Sequence, residues 1–147
     1  MKTRKMLVLG ALVVCGGTVN QAVADSFRVR QSGRFLDIDG RTGAVVSTPY
    51  WAPGAEWQVR PHNGFVTLQV TARGAFRGCY LDIDGRTGKL MLSRRLEEGA
   101  KWRIVNVSGG GVALQNVGQS RFRFGYLDLP QLKVMSTLYT GGVFDRN

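Results

Sequence analysis

The chain has 147 residues, with 20 Lys and Arg against 10 Asp and Glu, a formal net charge of +10, and only two cysteines. That length suits one domain around one core, and two cysteines exclude a disulfide-rich scaffold. The charge points either to simple solubility or to an anionic partner.

Lys2, Arg4 and Lys5 precede an apolar run, Met6–Val14, and Ala22-Val23-Ala24 precedes Asp25. A basic start, a short apolar stretch and an A-x-A site predict a secretory signal over residues 1–24, cleaved near Ala24–Asp25. The run is too short for a bilayer, which needs roughly 20 apolar residues, and no other segment is apolar enough to cross one. Leu12-Val13-Val14-Cys15 offers a rival lipoprotein reading, with Val14 a poor match to such signals. Secretion or a periplasmic location is the expectation. Cleavage removes three of the twenty basic residues and none of the ten acidic ones, leaving a net charge of +7 on residues 25–147. It also leaves Cys79 as the single cysteine, to be read as a buried apolar residue or as a reactive thiol.

Beyond the signal the chain repeats itself. Leu-Asp-Ile-Asp-Gly-Arg-Thr-Gly stands at Leu36–Gly43 and again at Leu81–Gly88, and Tyr126-Leu127-Asp128-Leu129 is an eroded third copy. A fixed period of this size signals repeat architecture, with units at approximately 25–64, 65–110 and 111–147. In the first unit, Phe35–Ile38 alternates and predicts a strand, with Leu36 and Ile38 on one face and Phe35 and Asp37 on the other. Asp39–Gly43 predicts a hairpin turn, Ala44–Val46 the returning strand, and Trp57–Val59 a further strand. The second unit repeats this order with Leu81–Ile83, Lys89–Leu92 and Trp102–Val105, and adds four residues before its motif. The third keeps that insertion but has lost four residues where the Asp-Gly-Arg-Thr-Gly turn should be, retaining Pro130-Gln131 and ending in Phe144. Leu36, Leu81 and Leu127 are expected to be equivalent core residues, as are Trp57, Trp102 and Phe144. No stretch shows a helical period with caps, so the expected class is all-β.

Three all-β units carrying Leu-Asp-Ile motifs and a following tryptophan strand resemble the β-trefoil. They resemble in particular the ricin-B-type lectin repeats, and to a lesser degree the fascin-like ones. The resemblance spans residues 25–147. It implies three units closing a barrel about a pseudo-threefold axis and a non-enzymatic module that binds carbohydrate. It also implies that Asp37, Asp82 and Asp128 accept hydrogen bonds from sugar hydroxyls beside a stacking aromatic. The alternative is that these aspartates tie down turns or pair with Arg41 and Arg86. The chain departs from the family pattern in two ways. Ala55, Ala100 and Gly142 stand where Gln is usual, and the paired cysteines are absent. The loop expected to hold the aromatic offers Tyr50 and Trp51 between Pro49 and Pro53 in the first unit, Arg94-Arg95 in the second and Tyr139 in the third. A sugar site is therefore expected chiefly in the first unit.

Other chemistries find less support. Asp37 and Asp39 suggest a calcium loop, but Thr48 and Ser93 stand where its bidentate acid belongs. His62 is the single histidine and has no evident nucleophile, and there is no zinc spacing or phosphate loop. No cofactor, metal or catalytic residue is expected. Arg73, Arg77, Arg121 and Arg123 interleave with Phe76, Phe122 and Phe124. With Arg94, Arg95 and Lys101 they suggest a surface for sulfated or phosphorylated glycan, or for anionic envelope polymers. Equally, they fit a solvated face with its phenylalanines turned inward. Export makes nucleic acid an unexpected partner. A protein partner is the remaining alternative, with the Pro49–Pro53 loop acting as in a secreted protease inhibitor.

Overall fold

The computed structural model describes residues 21–147. The body of the expected signal and Cys15 lie outside the described residues, while Val23 and Ala24 already pair with Val59 and Gln58. The chain forms twelve strands in three sets of four. The first set is β1 (Val23–Val29), β2 (Phe35–Ile38), β3 (Val45–Thr48) and β4 (Glu56–Pro61). The second is β5 (Val66–Val70), β6 (Tyr80–Ile83), β7 (Leu90–Ser93) and β8 (Trp102–Asn106). The third is β9 (Val112–Asn116), β10 (Tyr126–Asp128), β11 (Lys133–Met135) and β12 (Phe144–Arg146).

Six strands close a barrel. β1 pairs with β4, β4 with β5, β5 with β8, β8 with β9, β9 with β12, and β12 returns to β1, all antiparallel. Closure matters because an open sheet of short strands would present unpaired backbone groups along its edges. The other six strands form three hairpins, β2–β3, β6–β7 and β10–β11. Each hairpin leads through a single 3-10 turn, at Pro53–Ala55, Glu98–Ala100 or Thr140–Gly142, into the closing strand of its set. This is the all-β, threefold architecture that the repeats predict.

Its core is built from equivalent positions. Leu36, Leu81 and Leu127 are fully buried, and so are Trp57, Trp102 and Phe144. Trp57 Nε1 donates to Leu36 O at 3.1 Å and Trp102 Nε1 to Leu81 O at 3.0 Å, so each indole spans from barrel to hairpin. Phe144 has no such donor and packs edge-on against Phe27 instead, with centroids 6.2 Å apart. Cys79 is buried in this core, which favours its reading as a small apolar residue over a reactive thiol.

The repeated turn acquires its meaning from the neighbouring unit. Asp39 Oδ1 accepts from Arg41 N and Thr42 N, and Gly43, at φ +76°, closes the turn in a conformation that side chains resist. A Cβ added at Gly43 would lie only 2.5–2.9 Å from ring atoms of Phe76, in the insertion of the second unit. Gly88, at φ +73°, stands in the same way under Phe122, in the insertion of the third unit. Turn and insertion are therefore a matched pair across units. The turn of unit three, if present, would by the same order face unit one, which lacks the insertion that carries Phe76 and Phe122 in the other two units.

Candidate functional site

Period-two alternation would place Asp37 opposite Leu36, on the outer face of an open hairpin. The structure covers that face with the 3-10 turn: Asp37, Asp82 and Asp128 are only 4%, 4% and 5% exposed. Gly54 and Gly99 approach so closely that a methyl group on either would collide with the Oδ1 of Asp37 or Asp82. Asp37 Oδ1 accepts from Ile38 N at 2.7 Å, and Oδ2 accepts from Thr48 Oγ1 at 2.8 Å. Asp82 repeats the first bond with Ile83 N at 2.7 Å, and the Ser93 hydroxyl takes the place of Thr48. Burial pushes the Asp82 carboxyl above its ordinary value, partly offset by the bonds from Ser93 and Ile83. Asp128 differs. Met135 stands where a hydroxyl would be needed, and its Oδ1 takes Gln131 N at 3.2 Å from the shortened turn. The aspartates thus tie hairpin to turn, and none forms an ion pair with Arg41 or Arg86.

Thr48 and Ser93 are the residues that sequence reasoning passed over. They entered it only as poor calcium ligands, yet each stands eleven residues after a motif aspartate and closes on its carboxylate. Thr48 Oγ1 also lies 3.2 Å from Tyr50 O, so one side chain joins the buried Asp37 to the loop beyond β3. That loop carries Tyr50, 80% exposed, and Trp51, 52% exposed, between Pro49 and Pro53. Two large rings held in water by a proline-bounded loop contrast with Trp57 and Trp102, both wholly buried. In unit two, Ser93 Oγ bonds Arg95 O in the same manner, and Arg95 and Leu96 replace the ring pair. In unit three the strand register puts Thr137 and Leu138 at the positions of Tyr50 and Trp51. Tyr139 falls one residue later, at the start of the 3-10 turn. The paired rings belong to the first unit.

The arginine candidates divide. Phe76 and Phe122 are half-buried and packed on the core, as the inward-turned reading expects, whereas Phe124 is 50% exposed. Phe124 also has φ +68°, where the second unit has Gly78 at φ +83°. The Arg123 guanidinium lies 4.7 Å from the Phe124 ring centroid and that of Arg121 lies 5.0 Å from Phe122. Arg94 Nη2 donates to Ala75 O at 3.1 Å, bringing the loop after β7 onto the insertion. Arg73, Arg77 and Arg95 are exposed. Lys101 is taken up by an ion pair with Glu98. His62 stacks on Phe65 and lies 3.1 Å from Thr67 Oγ1, and burial followed by the nearby Arg60 charge lowers its pKa. Among the described residues no helix is long and apolar enough to cross a membrane.

An open groove of about 620 Å3 is lined by none of Asp37, Tyr50 or Trp51. It lies between the first and second hairpins, lined by Thr42–Val45, Lys89–Leu92, Phe76, Cys79 and Arg94 among others.

No protein-family model and no curated protein matches this sequence. Solved structures do match. The designed threefold-symmetric protein ThreeFoil is similar with a TM-score of 0.65 at 16% identity, over 84% of this chain and 96% of that one. SeviL, solved bound to asialo-GM1 saccharide, is similar with a TM-score of 0.69 at 13% identity, over 86% of this chain and 98% of that one. A GlcNAcα1-4Gal-releasing endo-β-galactosidase from Clostridium perfringens is similar with a TM-score of 0.68 at 19% identity. That match covers 84% of this chain but 31% of the enzyme, so this chain spans about a third of its length. At these identities the likeness shows the fold alone: this chain is a β-trefoil.

Proposed function

We propose that this chain is an exported, non-enzymatic carbohydrate-binding module whose site is the Tyr50–Trp51 loop, anchored on Asp37 through Thr48. The observation that carries the reading is the exposure of both rings on a loop pinned to a buried carboxylate. A sugar has an apolar C–H face and a rim of hydroxyls. Exposed aromatics receive the first, and neighbouring oxygens receive the second. Asp37 is only 4% exposed and already accepts two hydrogen bonds, so its part is to anchor the loop, while the exposed Tyr50 phenol offers a donor and an acceptor to sugar hydroxyls. Two of the structural neighbours, the saccharide-bound SeviL and the endo-β-galactosidase, lend support.

A glycan array tests the proposal. Asp37→Ala is a poor variant for it, because that residue also holds the hairpin against its turn. Tyr50→Ala and Trp51→Ala alter exposed side chains and should leave the fold intact. Wild-type protein should bind a defined set of glycans, and each variant should lose at least about tenfold in affinity, as expected for a central aromatic contact. Binding that is unchanged in both variants, or no glycan binding at all, rejects the reading. The same exposed loop also suits a protease-inhibitor role, and titration against a protease panel separates the two: a stoichiometric inhibitor would slow a protease, and a lectin would not.

A further inference from the structure

We propose that the groove between the first and second hairpins is a second binding site, for a sugar residue bearing a sulfate or carboxylate. It stands apart from the Tyr50–Trp51 loop, with which it shares no residue, and does not depend on it.

The groove exists because the pseudo-threefold symmetry is broken there. The second and third hairpins are joined by backbone bonds, Leu90 N to Leu132 O at 2.9 Å and Val134 N to Gly88 O at 2.8 Å, with Lys89 bridged to Lys133. No such backbone bond joins the first hairpin to the second among the described residues. The intact turn of unit one stands over Phe76 instead, and the space left between the hairpins measures about 620 Å3. That lies within the roughly 300–1,000 Å3 typical of small-molecule sites.

Its chemistry is mixed in one particular way. Phe76, Leu90 and Leu92 supply apolar surface, and the Thr42 hydroxyl and Gln131 amide supply neutral polar groups. The charged lining residues are Lys89 and Arg94, with no carboxylate among them. Both are exposed and neither forms an ion pair, the Asp84 carboxylate acting on Lys89 only at longer range. Arg94 is oriented by its bond to Ala75 O, which leaves the remaining guanidinium N–H groups free to meet an anion. A ring with one apolar face, several hydroxyls and one or two negative charges complements all of these features. A neutral sugar would leave the two cations without a counter-charge, and a simple inorganic anion would leave the apolar lining bare.

The test is an amide NMR titration of the intact protein with N-acetylglucosamine 6-sulfate and with glucuronic acid, beside uncharged N-acetylglucosamine and glucose. At least one charged sugar should shift the amides of Gly43, Lys89 and Arg94, and bind at least about tenfold more tightly than its neutral parent. Added salt should weaken that binding. Lys89→Gln with Arg94→Gln should abolish it, as should Lys89→Glu alone, with the rest of the spectrum preserved. The double variant Tyr50→Ala, Trp51→Ala should leave it unchanged. Equal affinity for charged and neutral sugars, shifts confined to the Tyr50–Trp51 loop or to Arg121–Phe124, undiminished binding by the Lys89 and Arg94 variants, or no binding of either acidic sugar would each overturn the proposal. Failure here with loss of array binding in Trp51→Ala would leave the first site standing.

Discussion

The pairing of each turn with the next unit's insertion makes a quantitative prediction at Gly43 and Phe76. Gly43→Ala imposes two separate costs. A side chain at φ +76° costs about 1–2 kcal/mol. The new methyl would also sit 2.5–2.9 Å from three atoms of the Phe76 ring, an overpacking worth a further ~1–3 kcal/mol. Phe76→Ala alone should cost ~2 kcal/mol, about half the range for a fully buried phenylalanine, because Phe76 is half-buried. In the double variant the methyl meets no ring. The loss should then fall short of the sum of the single losses by ~1–3 kcal/mol. Gly64→Ala provides the control, since Gly64 has φ +90° with nothing near its added Cβ, and should show the backbone cost alone. The assay is urea unfolding followed by tryptophan fluorescence, with unchanged m-values required for the comparison. Additivity within about 0.5 kcal/mol, or equal losses for Gly43→Ala and Gly64→Ala, would refute the coupling of turn to insertion.

Three further outcomes follow from the same geometry. Thr48→Val deprives the buried Asp37 carboxylate of a hydroxyl and should cost about 1–3 kcal/mol in urea unfolding. Thr48→Ser should be nearly silent, since Ser93 performs this task in the second unit, and a silent valine would contradict the assignment. Trp57→Phe breaks the bond to Leu36 O and should lower stability by at least about 1 kcal/mol in thermal melts; an unchanged melting point would show that the indole N–H contributes nothing. Carboxyl titration by NMR should place the Asp82 midpoint above 3.8 and those of Asp39 and Asp84 below it. Because Asp82 is raised in the folded state, the native protein binds more protons than the unfolded chain as pH climbs from 3.8 to the folded midpoint. Its ionisation therefore costs stability across that window, and Asp82→Asn should remove this cost. An Asp82 midpoint at or below 3.8 would contradict burial as the dominant influence.

Much of the architecture is written in local pattern. Leu36, Leu81 and Leu127 announce the core because identical motifs recur around them, and Trp57 and Trp102 mark the closing strands for the same reason. What the pattern could not convey is what lies over each outer face. Alternation sets Asp37 opposite Leu36 whether that face meets water or a 3-10 turn, and only the approach of Gly54, seventeen residues later, buries the carboxylate. The same holds for Gly43 and Phe76, which belong to different units and meet only through the cyclic order of the barrel. Alignment alone also misplaced the third loop. Counting from Asp128 through the shortened turn requires the β10–β11 register, and that register puts Thr137 and Leu138, not Tyr139, in the aromatic positions. Tyr50 and Trp51 were legible because two prolines around two large rings rarely describe a core.

The most direct test of carbohydrate recognition at that loop is acrylamide quenching of tryptophan fluorescence with and without a glycan identified on the array. Of the three tryptophans, Trp57 and Trp102 are completely buried and Trp51 is 52% exposed, so the quenchable emission belongs to Trp51. Saturating glycan should protect that emission and leave the buried pair unaltered, and the protection should vanish in Trp51→Phe. A glycan that binds while Trp51 remains fully open to acrylamide would contradict the account.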